Sequence, residues 1–203
     1  MESKPYDIVL LPSDNLLENA LKVSETLEKL DTYFTLDNKM VFPHISIYMT
    51  QLNEEGLEKV KSVLSGIAER TKAVELKADK YNYENTYIDI EYTKNKEIID
   101  LQSHVIEGVN PIRDGMRKKD EARLVNAVGE ARSNLVKYGW INVGDLYAPH
   151  LTFTRFKSDH PEAVETLPSR ENFNGAYASI GIFEMGDNGT CIKKIGAWEL
   201  QGS

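Results

Sequence analysis

The spacing of hydrophobic residues changes repeatedly along the chain between the period of a strand and the period of a helix. Alternating or short apolar runs bounded by turn residues predict strands, at residues 6–11, 44–49, 74–78, 86–92, 150–156, 176–185 and 191–200. Apolar residues recurring at helical intervals predict helices, at residues 14–30, 54–67, 96–109 and 120–138. Residues 81–85 are rich in turn formers, and Gly186-Asp187-Asn188-Gly189 predicts a hairpin between the last two strands.

These elements form two similar passes of helices and strands, with no Gly/Ser-rich linker between them. Two related strand motifs, at residues 44 and 150, lie about half of the 203-residue chain apart. A chain of this length can bury one large core. We therefore predict a single α+β domain over residues 1–203, with two pseudo-symmetric lobes. Each lobe would hold an antiparallel sheet and helices, with a cleft between the lobes.

The charge and composition of the chain argue against several classes of function. The net charge of −8 disfavours binding to long nucleic acid, which needs a basic surface to displace counterions. The apolar runs are too short to cross a bilayer, and the first residues do not resemble a signal peptide. The single cysteine, Cys191, predicts a buried packing thiol and fits a reducing compartment. We expect a cytoplasmic monomer that needs no cofactor.

The two motifs are Pro43-His44-Ile45-Ser46 and Pro149-His150-Leu151-Thr152. Strand geometry sends alternate side chains to opposite faces. His44 would share a face with Ser46 and Tyr48, and His150 with Thr152 and Thr154. The intervening apolar residues would pack in the core. A single histidine of this kind is usually structural, but two copies at half-chain spacing favour a shared site.

Two imidazoles on one surface suit phosphodiester chemistry. Displacement at phosphorus needs a base for the attacking oxygen and an acid for the leaving oxygen, and histidine can do either near neutral pH. The hydroxyls of Ser46 and Thr152 would then contact the non-bridging phosphate oxygens.

The paired His-x-[Ser/Thr]-hydrophobic pattern resembles the two-histidine (2H) phosphoesterase superfamily. The second motif extends to His-x-Thr-x-x-Arg, which resembles the 2′-5′ RNA ligase/cyclic phosphodiesterase branch. The resemblance implies catalytic roles for His44 and His150 and a phosphate-binding role for Arg155. Strict alternation puts Arg155 on the face opposite His150, so this role requires a bulge or a turn of the strand end.

Other residues offer weaker candidates. Tyr48 and Tyr147 could stack on a nucleobase, although ordinary packing is the simpler interpretation. His104 and His160 are interpreted as structural or solvated. A metal site built from His44, His150 and Asp145 is disfavoured, because each motif supplies only one good ligand. Residues 111–119 predict a solvated basic loop rather than a phosphate clamp, and residues 105–145 could form a lid.

The leading hypothesis is a metal-independent phosphodiesterase acting on a small cyclic or 2′-linked nucleotide phosphodiester. The alternatives are a non-catalytic sensor of a phosphorylated nucleotide and an enzyme that joins RNA ends through 2′-5′ bonds. If Arg155 turns inward, its charge would keep His150 neutral. That would make His150 the base and His44 the acid.

Overall fold

The computed structural model describes residues 2–202. Its fold is α+β, as predicted, with antiparallel strands and helices in mixed order. The strands are β1 (Lys4–Pro12), β2 (Ile45–Leu52), β3 (Val74–Leu76), β4 (Ala78–Glu84), β5 (Tyr87–Tyr92), β6 (His150–Arg155), β7 (Gly175–Met185) and β8 (Cys191–Glu199). The α-helices are α1 (Asp14–Leu27), α2 (Glu54–Arg70), α3 (Lys96–Val109), α4 (Lys118–Leu124) and α5 (Gly129–Tyr138). None of the helices within residues 2–202 is long and apolar enough to cross a membrane.

The strands form one antiparallel sheet in the order β3-β7-β1-β2-β6-β5-β4, and β8 also pairs with β7. The two halves of the sheet meet where β2 pairs with β6, at the single position Ile45–Leu151. The sheets expected for the two lobes are therefore continuous with each other. The two motif strands hydrogen-bond to each other directly and join both halves into one sheet.

Helices cover the apolar faces of both halves. The buried side of α1 carries Leu16, Ala20, Val23 and Leu27. It is fastened to β6 by the hydroxyl of Ser24, which donates to the carbonyl of Phe153 at 2.7 Å. Asn53 caps α2, since its side chain accepts from the N–H of Gly56 at 2.9 Å.

Two elements differ from the sequence prediction. The helix expected at 120–138 is two helices, because the chain turns between α4 and α5 and Gly129 takes a left-handed φ of 56°. The turn-rich residues 81–85 lie mostly in β4, and the reversal falls at Asn85 and Thr86, where φ is 51° and 66°. Two successive positive φ values are typical of a tight hairpin turn.

Candidate functional site

The two motifs lie side by side on neighbouring strands. His44 immediately precedes β2, and His150 is the first residue of β6. Extending the Ile45–Leu151 pairing by one residue puts His44 opposite Thr152 and Ser46 opposite His150. The two histidines and two hydroxyls are all partly exposed, whereas Ile45 and Leu151 are fully buried. The structure therefore brings these four side chains together on one face.

Both strands carry a bulge at the same point of the motif. On β2, Ser46 and Tyr48 pair with the consecutive residues Val9 and Ile8 of β1, so Ile47 is the extra residue. On β6, Thr152 and Thr154 pair with the consecutive residues Asp89 and Ile88 of β5, so Phe153 is the extra residue there. Each bulge reverses the alternation of the side chains that follow it.

The bulges change which residues can reach the site. After Phe153, Thr154 is buried and Arg155 is partly exposed, so Arg155 returns to the side of His150. After Ile47, Tyr48 is buried and Met49 takes the position that corresponds to Arg155. The bulge that an inward Arg155 requires is thus present.

The expected stacking surfaces of Tyr48 and Tyr147 are not available. Tyr48 is 0% exposed, and its hydroxyl contacts Asn110 and the carbonyl of Tyr138. Tyr147 is 2% exposed, and its hydroxyl donates to the carbonyl of Ser46 at 3.0 Å. A ring enclosed by protein offers no face to a ligand, so both tyrosines support the site from within the core.

The imidazoles are held in the same way. Nδ1 of His44 lies 2.7 Å from the carbonyl of Phe42, and Nδ1 of His150 lies 2.8 Å from the carbonyl of Ala148. Because a carbonyl only accepts hydrogen bonds, Nδ1 carries the proton in both rings. In each histidine, Nε2 is left as the atom that can accept or donate a proton at the shared surface.

Two buried carboxyl groups that the sequence analysis did not identify flank the histidines. Asp7 of β1 is 0% exposed; it accepts from the hydroxyl of Ser46 at 2.6 Å, and its Oδ2 lies 3.6 Å from Nε2 of His44. Asp89 of β5 is 6% exposed and pairs with Thr152 across the sheet. Within residues 2–202, Oδ1 of each aspartate has no hydrogen-bond partner. The available signal was an acidic residue with apolar neighbours on both sides in a strand, as in Tyr6-Asp7-Ile8 and Ile88-Asp89-Ile90.

Burial shifts the titration of these groups. It raises the pKa of Asp7 to about 7, opposed by the Ser46 hydrogen bond and the charges of Arg117 and His150. Burial likewise raises the pKa of Asp89 to about 6, opposed first by the charge of His150. Burial lowers the pKa of His44 to about 4, so this imidazole is neutral at pH 7. This result contradicts the expectation that His44 is the protonated acid.

Arg155 is held firmly at the end of β6. Its Nη1 donates to Asn188 at 2.7 Å and its Nε donates to Thr86 at 3.3 Å. The guanidinium lies 5.1 Å from the ring centre of Tyr33 and 4.8 Å from that of Tyr87. The site therefore has a positioned cation on the side of His150.

The 105–145 segment contributes a second arginine, Arg117. The expectation of a solvated loop is wrong for this residue, which is only 7% exposed. Its guanidinium pairs with the buried Asp120 and contacts the sulfur of Met49 at 2.9 Å. The segment is thereby fastened to β2 near the first motif.

The remaining candidates lie outside this cluster. His104 is exposed on α3, and His160 contacts Glu162 and Ser158 at 3.0 Å each. Asp145 is exposed and joins neither histidine in a metal-type group. Two surface cavities, beside α1 and beside β3, have no histidine in their walls. The candidate catalytic side chains therefore lie at the histidine pair and not in these cavities.

Comparisons with known proteins support the fold. No family model matches the sequence, and no curated protein matches it either. Among solved structures, Escherichia coli LigT in apo form aligns with a TM-score of 0.61 and 12% identity, over 98% of both chains. The protein TT0787 of Thermus thermophilus aligns with a TM-score of 0.64 and 13% identity, over 98% of this chain and 99% of the other.

A further crystal structure, described as a phosphoesterase, aligns with a TM-score of 0.57 and 13% identity, over 98% of this chain and 99% of the other. LigT has also been solved in complexes with phosphate and with 3′-AMP, and these align with a TM-score of 0.56. The full-length agreement shows that this chain has the LigT-like fold, as the resemblance to the 2H phosphoesterases implied.

Proposed function

We propose that this chain, which has the LigT-like fold, is a two-histidine phosphoesterase that hydrolyses a small cyclic or 2′-linked nucleotide phosphodiester. The observation that carries the proposal is the pairing of β2 with β6. It brings His44, Ser46, His150 and Thr152 onto one surface, with Nδ1 of each imidazole held by a backbone carbonyl so that Nε2 is the atom left for proton transfer. A site that only binds phosphate does not need two titrating imidazoles, each with its Nδ1 held by a backbone carbonyl.

The reaction is an opening of a cyclic phosphodiester by water. One neutral imidazole takes a proton from water as the water oxygen bonds to phosphorus. The other imidazole, protonated, gives its proton to the 2′ or 3′ oxygen as the phosphorus–oxygen bond breaks. The product is a nucleoside monophosphate, and the histidines regain their starting states by exchanging protons with solvent. Since burial holds the pKa of His44 at about 4, we assign the base to His44 and the acid to His150.

We assign phosphate binding to Thr152 and Arg155, which lie on the same strand as His150. Within residues 2–202 the side chain of Thr152 makes no hydrogen bond, so its hydroxyl is free to donate to a non-bridging oxygen. Arg155 supplies positive charge on the same side. One LigT structure contains 3′-AMP, a nucleoside monophosphate of the kind that such a ring opening releases.

A direct test is a panel of 2′,3′-cyclic nucleotides, 2′-5′ oligonucleotides and ADP-ribose cyclic phosphate, with the products identified by mass and retention. Excess EDTA should leave the activity intact, because the two imidazoles supply both proton transfers. The double variant His44→Ala/His150→Ala is the control for contaminating phosphodiesterases. Binding without turnover of any member would instead support the sensor alternative. Activity that is lost on chelation and restored by a metal would contradict the mechanism.

RNA end-joining is the same ring opening with the 5′-hydroxyl of a second RNA in place of water as the nucleophile. Joining requires the protein to bind two RNA ends at once, which the net charge of −8 disfavours. Incubation with an RNA carrying a 2′,3′-cyclic phosphate and a second RNA with a 5′-hydroxyl distinguishes hydrolysis from joining by product length.

A further inference from the structure

A second group of side chains meets at His44, from strands that lie across β2 from β6 in the order of the sheet. An oxygen of Asp7, a ring nitrogen of His44 and Sγ of Cys191 all lie within 4.8 Å of one another. It is the one cluster of three such metal-binding side chains in the described part of the chain. Asp7 and Cys191 are 0% exposed, and the His44 side chain is 14% exposed. The three residues come from β1, the segment before β2, and β8.

The surroundings prepare these atoms to bind an ion. The Phe42 carbonyl holds Nδ1–H of His44 at 2.7 Å, so the lone pair of Nε2 is available 3.6 Å from Oδ2 of Asp7. Metal-binding histidines are commonly oriented by such a bond. The N–H of Phe42 also donates to the carbonyl of Cys191 at 3.1 Å, which ties β8 to the same segment.

Asp7 adds a separate indication. Its Oδ1 is buried and has no hydrogen-bond partner within residues 2–202. A buried carboxylate oxygen without a partner is costly, and such exceptions call for an explanation. A cation bound by the carboxylate would remove that cost.

The chemical type and the charge of the three ligand atoms indicate which metal ion would bind. One thiolate, one imidazole and one carboxylate are typical zinc ligands. A thiolate and a carboxylate together balance the charge of Zn²⁺, so the complex is neutral, as a buried site requires. Zinc at bond lengths of about 2.0–2.3 Å holds its ligands roughly 3.3–3.7 Å apart, so the atoms need to close by about 1 Å. Three protein ligands leave one position for water.

We infer that Asp7, His44 and Cys191 form a zinc site that inhibits the enzyme by occupying Nε2 of His44. The inhibitory effect rests on the proposed function, because Nε2 cannot bind zinc and carry a proton in the same turnover. On binding, zinc takes an electron pair from each ligand, and the thiol proton of Cys191 is released to solvent. No electron transfer is involved.

Cobalt spectroscopy tests the site without reference to activity. The metal-free protein is titrated with Co²⁺, a zinc substitute whose thiolate complexes absorb in the near ultraviolet and whose tetrahedral complexes absorb strongly in the visible. Because Cys191 is the only cysteine, a thiolate band can arise from no other residue. We expect both bands to appear at one equivalent and to vanish when Zn²⁺ is added. Absence of the thiolate band at tenfold excess of Co²⁺ would overturn the site, whether or not any variant folds.

Matched variants connect the site to inhibition. Cys191→Ser should abolish the thiolate band, and Asp7→Asn should weaken Co²⁺ binding at least tenfold. His160→Ala, which removes a histidine paired with Glu162 elsewhere on the surface, should leave the wild-type spectrum unchanged. In the phosphodiesterase assay, Zn²⁺ should inhibit the wild type reversibly with EDTA. Cys191→Ser should need at least tenfold more Zn²⁺ for half-inhibition.

The outcomes separate the two proposals. Equal inhibition of wild type and Cys191→Ser would show that zinc acts elsewhere and would overturn the inference. The expected spectrum in a protein that turns over no substrate would sustain the zinc site and refute the phosphodiesterase. Phosphodiesterase activity that is insensitive to zinc, in a protein lacking the thiolate band, would sustain the phosphodiesterase and refute the zinc site.

Discussion

The carboxylate of Asp7 lies beside the imidazole of His44, with Oδ2 3.6 Å from Nε2. This approach is not an ion pair near neutral pH, because burial holds the pKa of His44 at about 4. An imidazole enclosed in this way is neutral near pH 7, which is the form that a general base must have before it takes a proton. We therefore propose that the two histidines differ in role although their motifs match.

The first prediction concerns this division of roles. Either single variant, His44→Ala or His150→Ala, should lower kcat/KM by roughly 10²–10⁴-fold on a cyclic nucleotide. A p-nitrophenyl phosphodiester has a good leaving group and needs little help from an acid. It should therefore restore much of the activity of His150→Ala and little of that of His44→Ala. The double variant gives the background rate, and preferential rescue of His44→Ala would reverse the assignment.

The two hydroxyls should also differ. Thr152→Ala should lose roughly 10²–10³-fold in kcat, the usual cost of one oxyanion donor, while keeping its stability. Ser46 already donates to Asp7 at 2.6 Å, so Ser46→Ala should lower the free energy of unfolding by about 1–3 kcal/mol. Urea unfolding and steady-state kinetics measure both effects. Thr152→Ser serves as the control, because it keeps the hydroxyl; a Thr152→Ala enzyme with normal kcat would show that Thr152 only fills the strand.

Arg155 should act through its charge on substrate binding. Replacing it with methionine, the residue at the equivalent position of the first motif, should lower kcat/KM by about 10–100-fold, consistent with loss of a charge-assisted hydrogen bond. Arg155→Lys should recover only part of this loss, since lysine cannot reproduce the planar contacts with Tyr33 and Tyr87. An Arg155→Met enzyme with wild-type kcat/KM would mean that the arginine serves only to link β6 to its neighbours.

Asp89 should make stability depend on pH. Its pKa in the folded protein, about 6, exceeds the ordinary value of 3.8, so the folded state binds the proton more tightly. The contribution of Asp89 to the free energy of unfolding should fall as pH rises from about 4 to 6 and stay low above that. Asn cannot ionise, so Asp89→Asn should gain stability relative to wild type over this range, by roughly 1–3 kcal/mol at pH 7.5.

Denaturant unfolding at several pH values between 4 and 8 measures this gain. The control is Asp79→Asn, because Asp79 is exposed on the neighbouring strand β4. The difference in the free energy of unfolding between Asp79→Asn and wild type should not grow between pH 4 and 6 as it does for Asp89→Asn. A constant difference between Asp89→Asn and wild type across this range would show that the Asp89 carboxyl titrates alike in the folded and unfolded states.

The local pattern of the chain was sufficient to predict the α+β class, most strand positions and the pair of histidine motifs. These features depend on neighbours in sequence: period-two alternation marks a strand, and two similar tetrapeptides at half-chain spacing mark a repeated unit. His44, Ser46, His150 and Thr152 were therefore identified before their spatial relationship was known. The buried thiol of Cys191 was predicted on the same basis and is confirmed.

Only the tertiary structure decided how these residues combine. A bulge exists because two residues of one strand face one residue of its partner, so the inward turn of Arg155 and the burial of Tyr48 depend on β5 and β1. The burial of Asp7 and Asp89 likewise depends on which strands flank the motifs. Strand order is set by contacts between residues far apart in the chain, and period-two alternation within a single strand carries no information about them. The sequence thus determined which side chains could do the chemistry, and long-range packing determined the groups that surround them and their state of charge.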